Sequence, residues 1–382
     1  MEEIRLVRPE EHAAAAKLAD LVFRDADHKS MGDAYPNAFS PSLSQSYGVF
    51  VDGVIVSFVG FVPSVIRIGE AELNVYSIGA VCTHPDYRGK GYISIILDRI
   101  REHALKAEAP VILVSGSRSL YLRFGCRVFG DATSFVIDRQ AADKLTGEAQ
   151  LAGAKLRLME ETDWFRLKRL AEKREVRYEM SVWDLASLIH AAPTASNGKL
   201  EHRVWVAERD GQAEAFAVIS VPGAVKPKGS PALIEWAGDP ALAAALIAHG
   251  ATEGGVESIR AVVPRQEAAF AETLRQAGCA SSEGKLSGTA AVIDSRMLLK
   301  QLAPYLNTVD SGACGKLRFD MAGPDAYIVE ADGRVLELSC DAFVKLVFDR
   351  GGAEEAAGGE TPDSLRSLFP IPFPYTAGLN YV

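Results

Sequence analysis

A strand that feeds directly into a basic glycine turn, which in turn opens an amphipathic helix, leaves a chain few folds to choose from. One stretch here has that build. Residues 75–82 form an apolar run suited to a buried strand, and Ile93, Ile96, Leu97, Ile100 and Ala104 then recur at helical spacing. Between them lie Thr83 and the turn Arg88, Gly89, Lys90, Gly91 and Tyr92, which places the glycines at a helix N-terminus. Unpaired backbone N–H groups there, together with the positive end of the helix dipole, can wrap phosphate oxygens. Gly89 and Gly91 allow close approach, and Arg88 and Lys90 add charge. The reading is a pyrophosphate cradle, set against the plainer possibility of a solvated basic turn. A dinucleotide fold would need glycine where Ser94 stands, and a Walker A loop would need Gly-Lys-Ser/Thr, so neither of those cradles fits.

A second apolar strand, 111–114, is followed by Ser115, Gly116, Ser117, Arg118, Ser119, Leu120, Tyr121, Leu122, Arg123, Phe124, Gly125 and Cys126. Taken alone, Tyr121 reads as a core tyrosine on a helical turn with a hydrogen-bonded hydroxyl. The two stretches together, in this order, resemble the Gcn5-related N-acetyltransferase (GNAT) family. That family's acetyl-CoA loop runs Arg or Gln, two residues, Gly, one residue, then Gly or Ala. The chain meets this at Arg88 and Gly91 and departs from it at Ile93. The enhanced-intracellular-survival (Eis-type) branch takes a large aliphatic residue there, and has about this length and a three-part organisation. The second stretch is similar to the family's Tyr-x-x-x-Gly-Phe helix and turn.

The resemblance implies acetyl-CoA as donor substrate, bound by Val81, Cys82, Thr83, Arg88, Gly89, Lys90, Gly91 and Tyr92. It implies Tyr121 as the general acid that protonates the departing thiolate, a task that suits a phenol of pKa near 10. It also implies that a backbone N–H near Val81 and Cys82 holds the oxyanion during direct transfer to a neutral amine.

Composition narrows the partners. The formal net charge of −9 argues against nucleic acid and agrees with cationic acceptors such as polyamines, amino sugars or lysine side chains. Five widely spaced cysteines, with no Cys-x-x-Cys pair and no nearby histidine cluster, argue against a disulfide scaffold or a metal site. The charged N-terminus and the lack of a membrane-length apolar run lead us to expect a soluble, cytoplasmic protein without a membrane partner. Cys82 and Cys126 lack a paired histidine, so a ping-pong thiol route is disfavoured. Ser115, Ser117 and Ser119 lack a nucleophile elbow, so a hydrolase is disfavoured too.

Along the chain the order of elements repeats. Strand 4–7, a helix over about 9–24 and a hairpin at Asp52-Gly53 are matched by strand 156–159, a helical stretch 164–177 and a hairpin at Asp210-Gly211. The run 271–279 shares Leu, Arg, Gly and Cys, in order, with 119–126, which suggests duplication. In the second copy Asp239 caps an alanine-rich helix where the cofactor turn would be, and a negative side chain there competes with phosphate. A third segment has a helix capped by Asp294, strands 317–321, 327–330 and 335–339, and a hairpin at Asp332-Gly333. It resembles the sterol-carrier-like module of Eis-type proteins. The expected class is therefore α+β: tandem GNAT folds, with mixed, mostly antiparallel central sheets and flanking helices, then a small sterol-carrier-like α+β domain. The expected boundaries are 1–140, 141–291 and 292–382.

Residues 350–363 read as a flexible loop. The tail beyond is too aromatic for disorder: Phe369, Ile371, Phe373 and Tyr375 alternate with prolines, so it should lie extended in a groove. The resemblance carries its terminal carboxylate, Val382, to the active site as base or charge partner for the amine. Asp25 and Asp27 follow the first helix, where the family builds its acceptor cleft, and are candidates for binding ammonium; a solvated acidic loop is the plainer reading. Eis-type proteins are hexamers, so a symmetric homo-oligomer is expected. The rival reading is a non-catalytic CoA sensor or a lipid carrier that uses the third segment.

Overall fold

The computed structural model describes residues 1–382, the side chain of Leu151 excepted. The first unit holds β1 (Glu2–Leu6), α1 (His12–Phe23), α2 (Met31–Ala34), β2 (Tyr47–Val51), β3 (Val54–Ile68), β4 (Ala71–Thr83), α3 (Tyr92–Lys106), β5 (Val111–Val114) and α4 (Ser119–Arg123). The second holds β6 (Asp131–Asp138), α5 (Arg139–Leu151), β7 (Lys155–Leu158), α6 (Trp164–Glu172), β8 (Val176–Tyr178), α7 (Val182–Ala191), α8 (Pro193–Asn197), β9 (Leu200–Arg209), β10 (Gln212–Pro222), β11 (Ala232–Gly238), α9 (Pro240–Glu253), β12 (Ser258–Pro264), α10 (Ala268–Gln276), β13 (Ala280–Lys285) and β14 (Thr289–Val292). The third holds α11 (Ser295–Cys314), β15 (Leu317–Gly323), β16 (Ala326–Ala331), β17 (Arg334–Ser339), α12 (Cys340–Phe348) and two short helices. Among the described residues no helix is long and apolar enough to cross a membrane.

The fold is mixed α+β. One sheet runs β1-β2-β3-β4-β5-β14, the other β13-β6-β12-β11-β10-β9-β7, and a small third sheet β15-β16-β17. In both large sheets the only parallel neighbours flank the middle helix of the copy. β4 pairs with β5 (Val75 with Val111, Ile78 with Val114), and β11 pairs with β12 (Ala232 with Arg260). The three Asp-Gly pairs read as hairpins are hairpins. Asp52, Asp210 and Asp332 have φ of 49° and their glycines 75° to 82°, the left-handed pair that a two-residue turn between twisted strands requires.

The sheets do not respect the boundaries expected from the sequence. β6 falls within 1–140 yet pairs with β12 and β13, so it belongs to the second sheet. β14, which overlaps the expected third boundary, pairs antiparallel with β5 and closes the first sheet. β8 interrupts the expected 164–177 helix and adds to the far end of β3. The two copies thus exchange strands. Each sheet buries residues contributed by the other half of the chain, which linear patterning cannot reveal.

The stretch expected to be a flexible loop contains a helical turn, Gly352–Ala357, with Ala353 buried. Beyond it the tail is part of the core. Phe369, Ile371 and Phe373 pack with Phe129, Phe348 and the third unit, while Leu379 is buried among residues of the second. Burying each is worth about 1.5–3 kcal/mol. Second-unit side chains hold the tail's backbone: Arg265 donates to the Pro370 carbonyl (2.7 Å), Gln266 to Phe373 (2.8 Å) and Thr194 to Ala377 (3.1 Å). The end of the chain is therefore delivered to a fixed place.

Candidate active site

β4 outruns its parallel partner. Their pairing stops at Ile78 and Val114, so the β4 edge from Gly79 to Thr83 has no partner on that side. At the same point β4 is distorted against β3. The register shifts between Phe58/Cys82 and Gly60/Gly79, and Ala80 takes φ of 51°. This bulge opens a wedge between the strands.

The chain terminus fills the wedge from one side. A Cβ placed on Gly79 would lie 2.1 Å from the carboxyl carbon of Val382, so only glycine lets the terminal residue reach this depth. Beside it is a cavity of about 330 Å³ lined by Gly79, Ala80 and Val81 of β4, by Ser115, Gly116, Arg118 and Tyr121, and by Tyr381 and Val382. Phe23, Arg24, Met31 and Tyr35 form its opposite wall, and Asn197 reaches in from the second unit.

Tyr121 is held by α4, whose first turn Arg118 opens as N-cap; its ring packs in the core and is 6% exposed. Gly116 lies against one ring edge. Burial pushes the phenol above its ordinary pKa, and the neighbouring Arg118 charge opposes this in part. The hydroxyl forms no hydrogen bond among the described residues, which leaves it available to a ligand in the cavity. The thiols are unsuited to nucleophilic work: burial pushes both Cys82 and Cys126 up to about 12.

The glycine turn has the geometry expected of it. Gly89 and Gly91 have φ of 79° and 75°, and a Cβ added to either would meet nothing within 4 Å. The first backbone bond into α3 runs from Ile95 N–H to Gly91 O (3.3 Å), so the amides from Gly89 to Ser94 have no partner among the described residues. Arg88 and Lys90 are exposed. Arg88 Nε donates to Thr83 O (3.3 Å), and the Lys90 ammonium sits 4.8 Å from the Tyr87 ring centre. Two of the expected cofactor residues can contribute only through their backbones. Tyr92 turns into the core and donates to Glu2 Oε2 (2.6 Å), and the Cys82 side chain is buried on the face packed by Phe39 and Phe58. In the second copy Asp239 accepts from Leu242 N (2.9 Å), occupying the amide end of α9.

Asp25 and Asp27, expected in the acceptor cleft, do not line the cavity. Asp25 binds Lys199 (2.8 Å), Lys228 (2.7 Å) and His28 (2.8 Å), and Asp27 binds Lys199 (3.3 Å). The lysine hydrogen bonds hold the Asp25 carboxyl well below the usual carboxylate range. Their task is to tie the loop after α1 to the second unit. Nothing beside Asp25 or Asp27 in the chain hints at those lysines, which are more than 170 residues away. Sequence reasoning also missed Arg24, Tyr35 and Asn197. Asn197 accepts from Tyr35 Oη (2.9 Å) and from Arg24 Nη1 (3.2 Å), joining the first unit to α8. Gly79, a glycine within a strand, was the available signal for the bulge.

Residues 3–129 match the family model described as an acetyltransferase (GNAT) domain. The N-terminal unit is a GNAT domain. A match among curated proteins is not found. Solved structures resemble the chain along its whole length. A GCN5-related N-acetyltransferase from Kribbella flavida is 14% identical at TM-score 0.63, covering 100% of this chain and 98% of its own. A probable N-acyltransferase from Enterococcus faecalis V583 is 14% identical at TM-score 0.66, covering 98% of each chain. Eis1 from Mycobacterium abscessus is 14% identical at TM-score 0.59, covering 98% of this chain and 100% of its own. At these identities the likeness is one of fold. It extends past the matched GNAT domain over the rest of the chain.

Proposed function

We propose that the protein transfers the acetyl group of acetyl-CoA directly to a primary amine, with Tyr121 as general acid and the Val382 carboxylate as base. The observation that carries this is the meeting of three features in one cavity: the open edge of β4, the free Tyr121 hydroxyl and the chain terminus seated on Gly79. Acetyl-CoA would lie with its pyrophosphate on the unpaired amides at the start of α3, beside Arg88 and Lys90, and its thioester in the wedge. A neutral amine attacks the thioester carbonyl, forming the C–N bond. A backbone N–H of the β4 edge near Val81 and Cys82 stabilises the oxyanion. The amine's proton passes to the Val382 carboxylate, directly or through water. As the C–S bond breaks, the thiolate takes the Tyr121 proton. The raised phenol pKa keeps that proton in place until the leaving group demands it. The inert thiols favour direct transfer over an acetylated enzyme.

The expectation of a cationic small molecule or a lysine side chain as acceptor loses its two carboxylates, since Asp25 and Asp27 are committed elsewhere. What supports an amine acceptor is the terminal carboxylate. The third unit's part in this reading is to anchor the tail that carries it. We retain a symmetric homo-oligomer as the working assembly: Trp183 and Phe165 are 84% and 70% exposed on the second unit, and a sedimentation run that finds only monomer would contradict it.

Tyr121→Phe tests the chemistry. It should bind acetyl-CoA as the parent does and lose about 10²–10⁴-fold in kcat. Unchanged kcat would remove Tyr121 from the mechanism.

A further inference from the structure

The cavity that would hold the acceptor contains no Asp or Glu side chain; its lining offers two guanidinium groups and one carboxylate, that of Val382. Arg24 is the more telling cation. It stands just beyond the end of α1, half-buried, and its three hydrogen bonds all go to neutral acceptors: Ser196 O (3.4 Å), Ser196 Oγ (3.1 Å) and Asn197 Oδ1 (3.2 Å). A guanidinium has five N–H donors, and Nε of Arg24 has no partner. Burial lowers its pKa, and the one carboxylate whose charge opposes this, Asp20 a turn earlier on α1, forms no ion pair with it and accepts instead from Met31 N (2.6 Å). Arg157 and Arg174, by contrast, are supplied with carboxylates, Asp163 and Glu208 for the first and Glu235 and Glu267 for the second. Arg265, which like Arg24 makes no ion pair among the described residues, spends its charge on the Pro370 carbonyl of the tail, outside this cavity. Arg118, on the far wall, makes no ion pair among the described residues either, and its charge is felt at Tyr121.

We propose that the acceptor is an amine that carries its own carboxylate, an amino-acid-like molecule whose carboxylate is bound by Arg24, with Arg118 adding positive potential. This rests on the acetyl-transfer reading and names its substrate class. The polarity is self-consistent. The carboxylate end of the acceptor faces the arginines, and the amine end faces Val382, the only anion on the lining. A zwitterion satisfies both at once, whereas a polycation would set a second ammonium against the half-buried Arg24 guanidinium and the exposed Arg118. Phe23, Met31, Tyr35 and Tyr381 leave room for an apolar side chain between the two ends.

The test compares three amines of one skeleton with the full-length protein: phenylalanine, phenylalaninamide and phenethylamine, with spermidine as a polycationic control. Thiol release from acetyl-CoA is followed for the parent, Arg24→Gln, Arg24→Lys and Arg118→Gln. We expect the acid to exceed the amide by about 10- to 100-fold in kcat/KM, the range for charge-assisted hydrogen bonds. The amide's amine is the less basic and therefore more often neutral, so a preference for the acid arises against that bias. Arg24→Gln should collapse the acid-to-amide ratio to one or below. Arg24→Lys should restore part of it, since charge is kept and the planar fork is lost. If Arg24 serves only to tie the first unit to Asn197, or to steady the tail, its loss slows both amines alike and the ratio stays put, which overturns the proposal. Turnover of spermidine or phenethylamine without turnover of the acid overturns it while leaving acetyl transfer intact. Absence of release with all four overturns both.

Discussion

Gly79→Ala offers a way to move the terminal carboxylate without deleting a charge. The new methyl would lie 2.1 Å from the Val382 carboxyl carbon, 2.3 Å from its oxygen and 2.7 Å from its Cγ1, where ordinary contacts begin at 3.4 Å. The terminal residue must therefore retreat by about 1.3 Å (3.4 less 2.1). The anchors upstream are unaffected, because Ile371, Phe373 and Leu379 are buried in the body of the protein and the tail's backbone is held at Pro370, Phe373 and Ala377. Misplacement of a reacting group by about 1 Å can cost about 10²-fold. We expect Gly79→Ala to lose about that much in kcat, with the KM for acetyl-CoA little changed. The assay is thiol release at saturating acetyl-CoA, run on Gly79→Ala, on a chain lacking Tyr381 and Val382, and on the combination. If the substitution acts through the carboxylate, the combined variant is no slower than the truncated chain, because there is no carboxylate left to displace. Full activity in Gly79→Ala, or losses that multiply in the combination, would refute this assignment of the base.

Three further outcomes follow from the same geometry. Because burial raises the Tyr121 pKa above its ordinary value near 10, the phenol stays protonated below about pH 10, and the parent's kcat should show no alkaline fall before then; an earlier fall would exclude it as the acid. Gly91→Ala places a side chain at φ of 75°, costing about 1–2 kcal/mol, and should raise the KM for acetyl-CoA roughly tenfold while sparing that of the amine; an unchanged KM would count against the amide cradle. Asp25→Asn should leave the acceptor KM unaltered and lower the Tm. The Asp25 pKa is depressed in the folded protein, so the Tm difference is fully present above the usual aspartate value near 3.9 and shrinks as pH falls below it; a raised acceptor KM would return Asp25 to the acceptor site.

The parts of this molecule that were legible in its sequence are those that depend on neighbours along the chain. The three Asp-Gly hairpins, the glycine turn at Gly89 and Gly91 and the Asp239 cap each follow from a few adjacent residues. The aromatic tail could be recognised as docked because so many apolar residues cannot stay in water. What escaped depends on chain topology. The exchange of β6 and β14 between the two sheets leaves no local trace, since a strand's pattern of apolar residues is the same whichever sheet it joins. Asp25 looked free because Lys199 and Lys228 come from the other copy, and Arg24 was passed over because its setting is made by α8. The acceptor side of the cavity is assembled from α1, α2, α8 and the chain terminus, so its charge could not be read from any one of them.

Direct acetyl transfer is the central claim, and a single-turnover experiment with the protein in excess over acetyl-CoA tests it most closely. The protein is mixed with acetyl-CoA and a reactive amine, and the acetyl group is located by mass spectrometry of acceptor and intact protein. Direct transfer predicts one acetylated amine for each thiol released and a protein that is never acetylated, even when the amine is withheld. Acetylated protein at Cys82 or Cys126 before the amine is added, or thiol release balanced only by free acetate, would contradict it.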